Sequence, residues 1–385
     1  MSSPATTTDR ANRAAVTAMF LANGLSVASF LVRIPSVRDQ LGLREAALGL
    51  VLSSLAVGVV TGLVVAGRIV GRLGSRTLTV GGAVALAAVL PVAGAAPSVP
   101  VLVVALAATG ATSSLMDVGM NAQGVGVERA LGRSVMLGLH GAWSVGTLLA
   151  ALVGSVVMEA GIPVGWHLLG VSLVVLAVLA GAQRHLRIDD RRRTAADRAP
   201  RFALPRGPLL PLALIVLAGA IGEAAAGDWS GIHLADNLDA SAGRVAWGLV
   251  AYTGAMTLVR LLGDLLVRRV GREPTVVAGG VLAGVGFVTV ATAPTILVAV
   301  TGFALVGLGV GVTVPLAFAA AGSVAETPGS GVAAVAAVGY LAFVVGPSAV
   351  GVAADLVGLR VVFATVAVLI VALVARPQPV LRKTD

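Results

Sequence analysis

The chain has 385 residues, of which 57% are hydrophobic and 12% charged, with a mean hydropathy of +0.98. That much apolar surface exceeds what a soluble core hides, so lipid must cover the remainder and the soluble classes are excluded. The net charge of +9 must therefore be sorted by loop before it is read as nucleic-acid affinity, and the absence of cysteine removes disulfides, thiolate metal sites and cysteine nucleophiles.

A hydrocarbon core of roughly 30 Å takes about 20 helical residues to cross, and apolar stretches of that length recur about twelve times. Residues 1 to 12 are polar, and the apolar run after them continues too far for a cleavable signal peptide, so it is the first expected span. Spans are predicted near residues 13 to 35, 46 to 67, 77 to 95, 100 to 125, 135 to 158 and 165 to 183. A polar stretch follows, and a second set is predicted near 208 to 228, 244 to 267, 274 to 292, 295 to 320, 331 to 353 and 359 to 375. This predicts an all-α integral membrane protein with two six-helix bundles, 1–183 and 208–385, joined by a basic linker at 184–207. With the N-terminus in the cytoplasm, 21 of the 27 Lys and Arg residues fall on the cytoplasmic side, whereas Arg33, Arg38, Arg44, Arg244 and Arg360 fall outside and Arg260 lies in a span. That bias predicts a multi-pass protein of the cytoplasmic membrane with both termini inside. Arg191, Arg192 and Arg193 read as a solvated linker that also suits anionic lipid.

Polar residues inside spans are costly and tend to face a bundle interior or a water-filled path. The first span offers Asn23 at mid-depth, with Ser26 either lining a path or bonding its own backbone. In the fourth, Ser113, Asp117 and Asn121 share a face at i, i+4 and i+8; in the fifth, His140, Trp143, Ser144 and Thr147 form a second stripe. Counting from a tight turn predicted near 128 and 129 puts Asp117 and His140 at one depth, and Ser113 and Ser144 at another. Asp117 is the leading candidate for proton coupling, with a static helix anchor as the alternative, and His140 suits a relay or a plain interhelical bond. In the seventh span Glu223 is a second proton site, a substrate ligand, or a carboxylate pairing with an extracellular arginine. It is expected just below an outer mouth marked by Asp228 and Trp229, with Trp229 as an interfacial anchor or ligand contact. Arg260 and Asp264 are spaced to pair as a structural or gating couple near the cytoplasmic end of the eighth span, with substrate binding as the alternative. Tyr252, Trp247 and Tyr340 either line a cavity or pack, and Gly346-Pro347 should kink the eleventh span.

The chain has no G-x-x-x-x-G-K-[ST] loop, and His140, His167, His185 and His233 are scattered, so neither a nucleotide, a metal nor another cofactor is expected. A hydrolase built on Ser144, His140 and Asp117 would need an oxyanion hole and a strained nucleophile turn that no segment supplies, so no enzyme activity is expected.

The halves repeat. Gly67, Arg72, Leu73, Gly74 and Arg76 after the second span are echoed by Arg269, Val270, Gly271 and Arg272 after the eighth, and Gly110 by Gly307, Gly309 and Gly311, about 197 residues later. The two-bundle layout and the G-x-x-x-(D)-R-x-G-x-R loop, with Gly71 at its acidic position, resemble the major facilitator superfamily over the whole chain. Arg33-Ile34-Pro35, Asp117 to Gly124, His140-Gly141-Ala142-Trp143-Ser144, and Glu223 with Asp228-Trp229-Ser230 resemble the branch containing the fucose-permease relatives and a group of bacterial inner-membrane proteins. Such a resemblance implies a secondary transporter, usually monomeric, working by rocker-switch alternating access, with Gly67, Arg72 and Gly74 in a gating loop. The expected function is proton-coupled uptake of a small solute held by Asn23, Asn121, Trp143, Ser144, Tyr252 and Tyr340. Proton-driven export, and a non-transporting sensor on the same fold, are the alternatives.

Overall fold

A computed structural model of the chain describes residues 7–132, 135–187, 205–325, 328–374 and 379–382. The helices are α1 (Thr7–Leu31), α2 (Ile34–Leu41), α3 (Glu45–Leu73), α4 (Ser75–Gly94), α5 (Val99–Leu131), α6 (Met136–Glu159), α7 (Val164–Ala182), α8 (Leu209–Leu238), α9 (Trp247–Val270), α10 (Arg272–Thr292), α11 (Ile296–Val324), α12 (Pro328–Val357), α13 (Leu359–Leu373) and α14 (Pro379–Arg382). Among the described residues, eleven helices are long and apolar enough to cross a membrane, and α13 is an apolar helix of 15 residues. Together they correspond to the twelve spans predicted from hydropathy. Large apolar side chains such as Val104, Val156, Leu297 and Leu356 remain exposed, as suits a surface whose solvent is lipid.

Three predicted boundaries need correction. The first span breaks before residue 35, because Pro35 sits in the first turn of the separate helix α2, where its missing N–H costs no bond. The turn expected at 128 and 129 lies further on, at Gly132, whose φ of 62° caps α5. Glu128, part of the polar pair that suggested a turn, instead accepts from the backbone N–H groups of Val135 and Met136, at 2.7 and 3.1 Å, and so secures the start of α6. The seventh span does not end at residue 228; α8 continues to Leu238 and closes on Asp239 in the left-handed region. Trp229 is correspondingly 0% exposed, a core residue and not an interfacial anchor.

The repeat is expressed in the backbone. Gly42 and Asp239 (φ 61° and 50°), Gly74 and Gly271 (82° and 92°), and Gly161 and Gly358 (67° and 81°) all stand 197 positions apart. All six hold a positive φ, which glycine permits without strain and Asp239 adopts at some cost, and at Gly74 and Gly271, with ψ of 156° and 162°, the whole turn is the same. The extended residues Ser98 and Thr295, preceding α5 and α11, keep the same offset. So does a close helix crossing. A Cβ on Gly110 would lie 2.1 Å from the Leu55 carbonyl oxygen, and one on Gly307 would lie 2.2 Å from that of Tyr252.

The chain forms two compact units, Met1–Leu41 with Ser54–Asp197, and Gly42–Ser53 with Arg198–Asp385. In the first, α1 packs on α6, α5 and α7, and α4 on α5 and α7. In the second, α11 packs on α8, α9 and α10, and α8 on α12 and α13. The opening turns of α3 belong to this second unit. There Arg44 pairs with Asp355 at 2.9 Å, Ser53 bonds Ser348 at 2.6 Å, and Gly49 meets Gly351 backbone to backbone. Arg191, Arg192 and Arg193 lie outside the described residues.

Candidate functional site

In the first unit the site begins with two glycines. A Cβ on Gly24 would lie 2.2 Å from the Trp143 carbonyl oxygen and one on Gly146 2.2 Å from that of Leu21, so α1 and α6 touch along bare backbone. That approach brings Asn23 under Trp143, whose indole Nε1 donates to Asn23 Oδ1 at 3.0 Å. The Asn23 amide then donates to the Oγ and carbonyl oxygen of Ser113 on α5, at 3.2 and 3.3 Å. One buried side chain thus ties three helices, and each of its polar atoms is used. Ser26 donates to its own helix at Ala22, 2.8 Å, and Thr147 to the Ser144 carbonyl, 2.7 Å.

Asp117 lies one turn beyond Ser113, half-buried. Its carboxylate accepts from Asn121 Nδ2 at 3.0 Å, and the same amide donates to the Asp117 carbonyl oxygen at 2.9 Å. No cation pairs with Asp117 among the described residues. His140 lies one turn before Trp143 on α6 and meets Phe20 edge-on, with ring centroids 5.3 Å apart. The turn from which Asp117 was counted level with His140 lies further on, yet the Asn23 bridge, which holds Ser113 level with Trp143, gives nearly the same register between α5 and α6.

In the second unit the charged centre joins Glu223 of α8 to Arg260 of α9, both near mid-helix. Arg260 Nη2 donates to Glu223 Oε1 at 3.1 Å, and Nε points to the Gly311 carbonyl of α11 at 3.4 Å. Glu223 therefore has its arginine partner in the neighbouring span α9. The side chain of Asp264, the expected partner of Arg260, lies outside the described residues. Tyr252 is buried on α9 within the field of Glu223, Arg260 and Asp228, whereas Tyr340 is 42% exposed. Trp247 is partly exposed beneath the Arg244 guanidinium, 5.7 Å from its carbon to the ring centre. Sequence reasoning missed both the Asn23 bridge and the Glu223–Arg260 pair. Opposite charges in neighbouring apolar spans were the available signal for the second, since each would be costly alone.

Of the gating loop, Gly74 makes the turn into α4, Arg72 is exposed, and Gly67 has open space where a Cβ would stand.

Residues 16–227 and 212–382 each match the Major Facilitator Superfamily. The chain belongs to this superfamily. The transporter is 33% identical to an uncharacterized transporter of Sinorhizobium fredii, over 96% of this chain and 97% of that relative. It is 30% identical to an uncharacterized MFS-type transporter of Yersinia pestis, over 95% and 94%. Its fold is similar to that of a mutant of the nucleoside transporter NupG, with a TM-score of 0.79 at 12% identity, covering 94% of this chain and 98% of that one. A bacterial homolog of the human lysosomal transporter Spinster, in an inward-facing and unoccupied conformation, gives a TM-score of 0.77 at 13% identity over 99% of both chains. At such identities the likeness establishes the fold alone. The transporter is thus a non-enzymatic, multi-pass secondary transporter, and its superfamily implies a small-molecule substrate.

Proposed function

We propose that this transporter carries a small polar solute into the cell by alternating access, coupled to protons, as a monomer with both termini in the cytoplasm and bundles at 1–183 and 208–385. The observation that carries the coupling is Asp117, a half-buried carboxyl in the middle of a membrane helix whose partner is the neutral amide of Asn121. An intramembrane carboxyl without a cation changes its proton occupancy with its access to water, which is what a coupling site requires. Glu223 and His140 are the further candidates. Asn23, Asn121, Trp143, Ser144, Tyr252 and Tyr340 supply solute contacts, and Gly67, Arg72, Gly74, Arg260 and Asp264 serve gating. The resemblance to fucose-permease relatives supports uptake. Asp117→Asn keeps the shape and removes the ionisable group. It is expected to retain solute exchange across a liposome membrane while losing solute-driven proton movement; unchanged proton movement would remove Asp117 from the mechanism.

A further inference from the structure

Arg260 is engaged less fully than an arginine fork allows. It meets Glu223 through a single Nη2–Oε1 contact at 3.1 Å and reaches the Gly311 carbonyl at 3.4 Å, and the two side chains keep 30% and 20% of their surface exposed. A guanidinium presents parallel N–H groups that match both oxygens of one carboxylate, so the observed contact leaves part of its binding capacity unused. The charged groups around the pair are few. Tyr252 faces it from α9, and Asp228, further along α8, acts on Tyr252. The charged residues of α12 and α13 are engaged elsewhere, Asp355 with Arg44 and Arg360 with the Asn237 carbonyl.

We propose that Arg260 is the binding site for the carboxylate of an organic monoanion, which it takes up when a proton occupies Glu223. This rests on the reading of the chain as a proton-coupled transporter, with Asp117 and Glu223 holding one and the same proton in succession during a cycle, and adds the substrate class and the stoichiometry. With Glu223 ionised, the pair is neutral and closed. A proton on Glu223 cancels that carboxylate and leaves Arg260 as an uncompensated cation in low-dielectric surroundings, which is the costly state. A planar monoanion restores neutrality and completes the fork. The empty site and the fully loaded site then carry the same charge, whereas a proton or an anion alone unbalances it. Transport is therefore one proton with one monoanion, electrically neutral, driven by the pH gradient and indifferent to membrane potential.

The test uses the full-length protein in liposomes with a trapped pH dye, with gluconate and glucuronate as anionic probes, glucose as the neutral one and glucosamine as the amine, against protein-free liposomes. Acidification is expected with a sugar acid alone, at a rate that an imposed potassium diffusion potential does not change. Arg260→Gln should lower that rate by about a hundredfold, the range for removing one partner of a buried charge pair. Arg260→Lys should retain part of it, and Glu223→Gln should still exchange labelled gluconate without moving protons. Agreement of the lysine variant and Glu223→Gln with these expectations separates loss of binding from loss of fold. Acidification by glucose or glucosamine instead, an unaltered rate in Arg260→Gln, or a rate that follows the potential overturns the anion site while leaving the transporter reading standing. No flux in any class overturns both.

Discussion

Asn23 spends one side chain on two interhelical links, accepting from Trp143 and donating to Ser113, and its burial leaves no water to replace either partner. Interhelical hydrogen bonds within membranes contribute about 0.6 kcal/mol on average, and leaving a buried partner unsatisfied costs about 1–3 kcal/mol. Asn23→Ala is therefore expected to destabilise the protein by about 1–2 kcal/mol, read as a lowered unfolding midpoint in detergent. Trp143→Phe, which removes one donor and keeps the ring, should cost less. Because the two residues share a bond, their double variant should fall short of the sum of the single losses; strict additivity would show that the bond contributes nothing. Each of these residues stood out in the sequence as a polar group in an apolar span. Their mutual bonding did not, because it depends on how closely α1 approaches α6, a distance that periodicity along one helix does not carry.

At the scale of helices, glycine sets the distances. A Cβ on Gly110 or Gly307 would drive into a carbonyl oxygen of the facing helix, whereas Gly67 and Gly71 have open space. Gly110→Ala and Gly307→Ala are each expected to destabilise by about 1–3 kcal/mol, the usual range for overpacking, while Gly67→Ala and Gly71→Ala leave stability unchanged or slightly raised. Thermal unfolding of the four variants in one detergent checks this, and equal effects in all four would refute the crossing. The existence and order of the spans were legible because about 20 apolar residues in a row have few other fates. Helix ends were less legible. Glu128 looked like a turn and proved to be a cap for the next helix, and Asp228 with Trp229 looked like a water boundary and proved to lie inside α8. In both cases a polar residue was read as facing water when a tertiary partner or burial decided its place.

Across the whole chain, the 197-residue offset preserves backbone and changes chemistry. Positive φ recurs at Gly42 and Asp239, Gly74 and Gly271, and Gly161 and Gly358, yet Ser26 stands where the second half has Glu223, and Trp143 where it has Tyr340. One half thus carries a neutral hydrogen-bonded network and the other an ion pair, a division of chemistry that duplication alone would not produce. Orientation follows from charge. The natural absence of cysteine lets a single cysteine at Gly161 or at Arg72 report its side of the membrane without background. An impermeant thiol reagent added to intact cells should label Gly161→Cys and spare Arg72→Cys; the opposite pattern would invert the topology. The central claim, proton-coupled secondary transport, is tested most directly by the internal pH of proteoliposomes as sugars, sugar acids, nucleosides and amines are added outside. The account predicts acidification by one class of solute, lost in Asp117→Asn. Binding of a solute without any movement of solute or protons, in the native protein and the variant alike, would contradict it and make this chain a sensor built on a transporter fold.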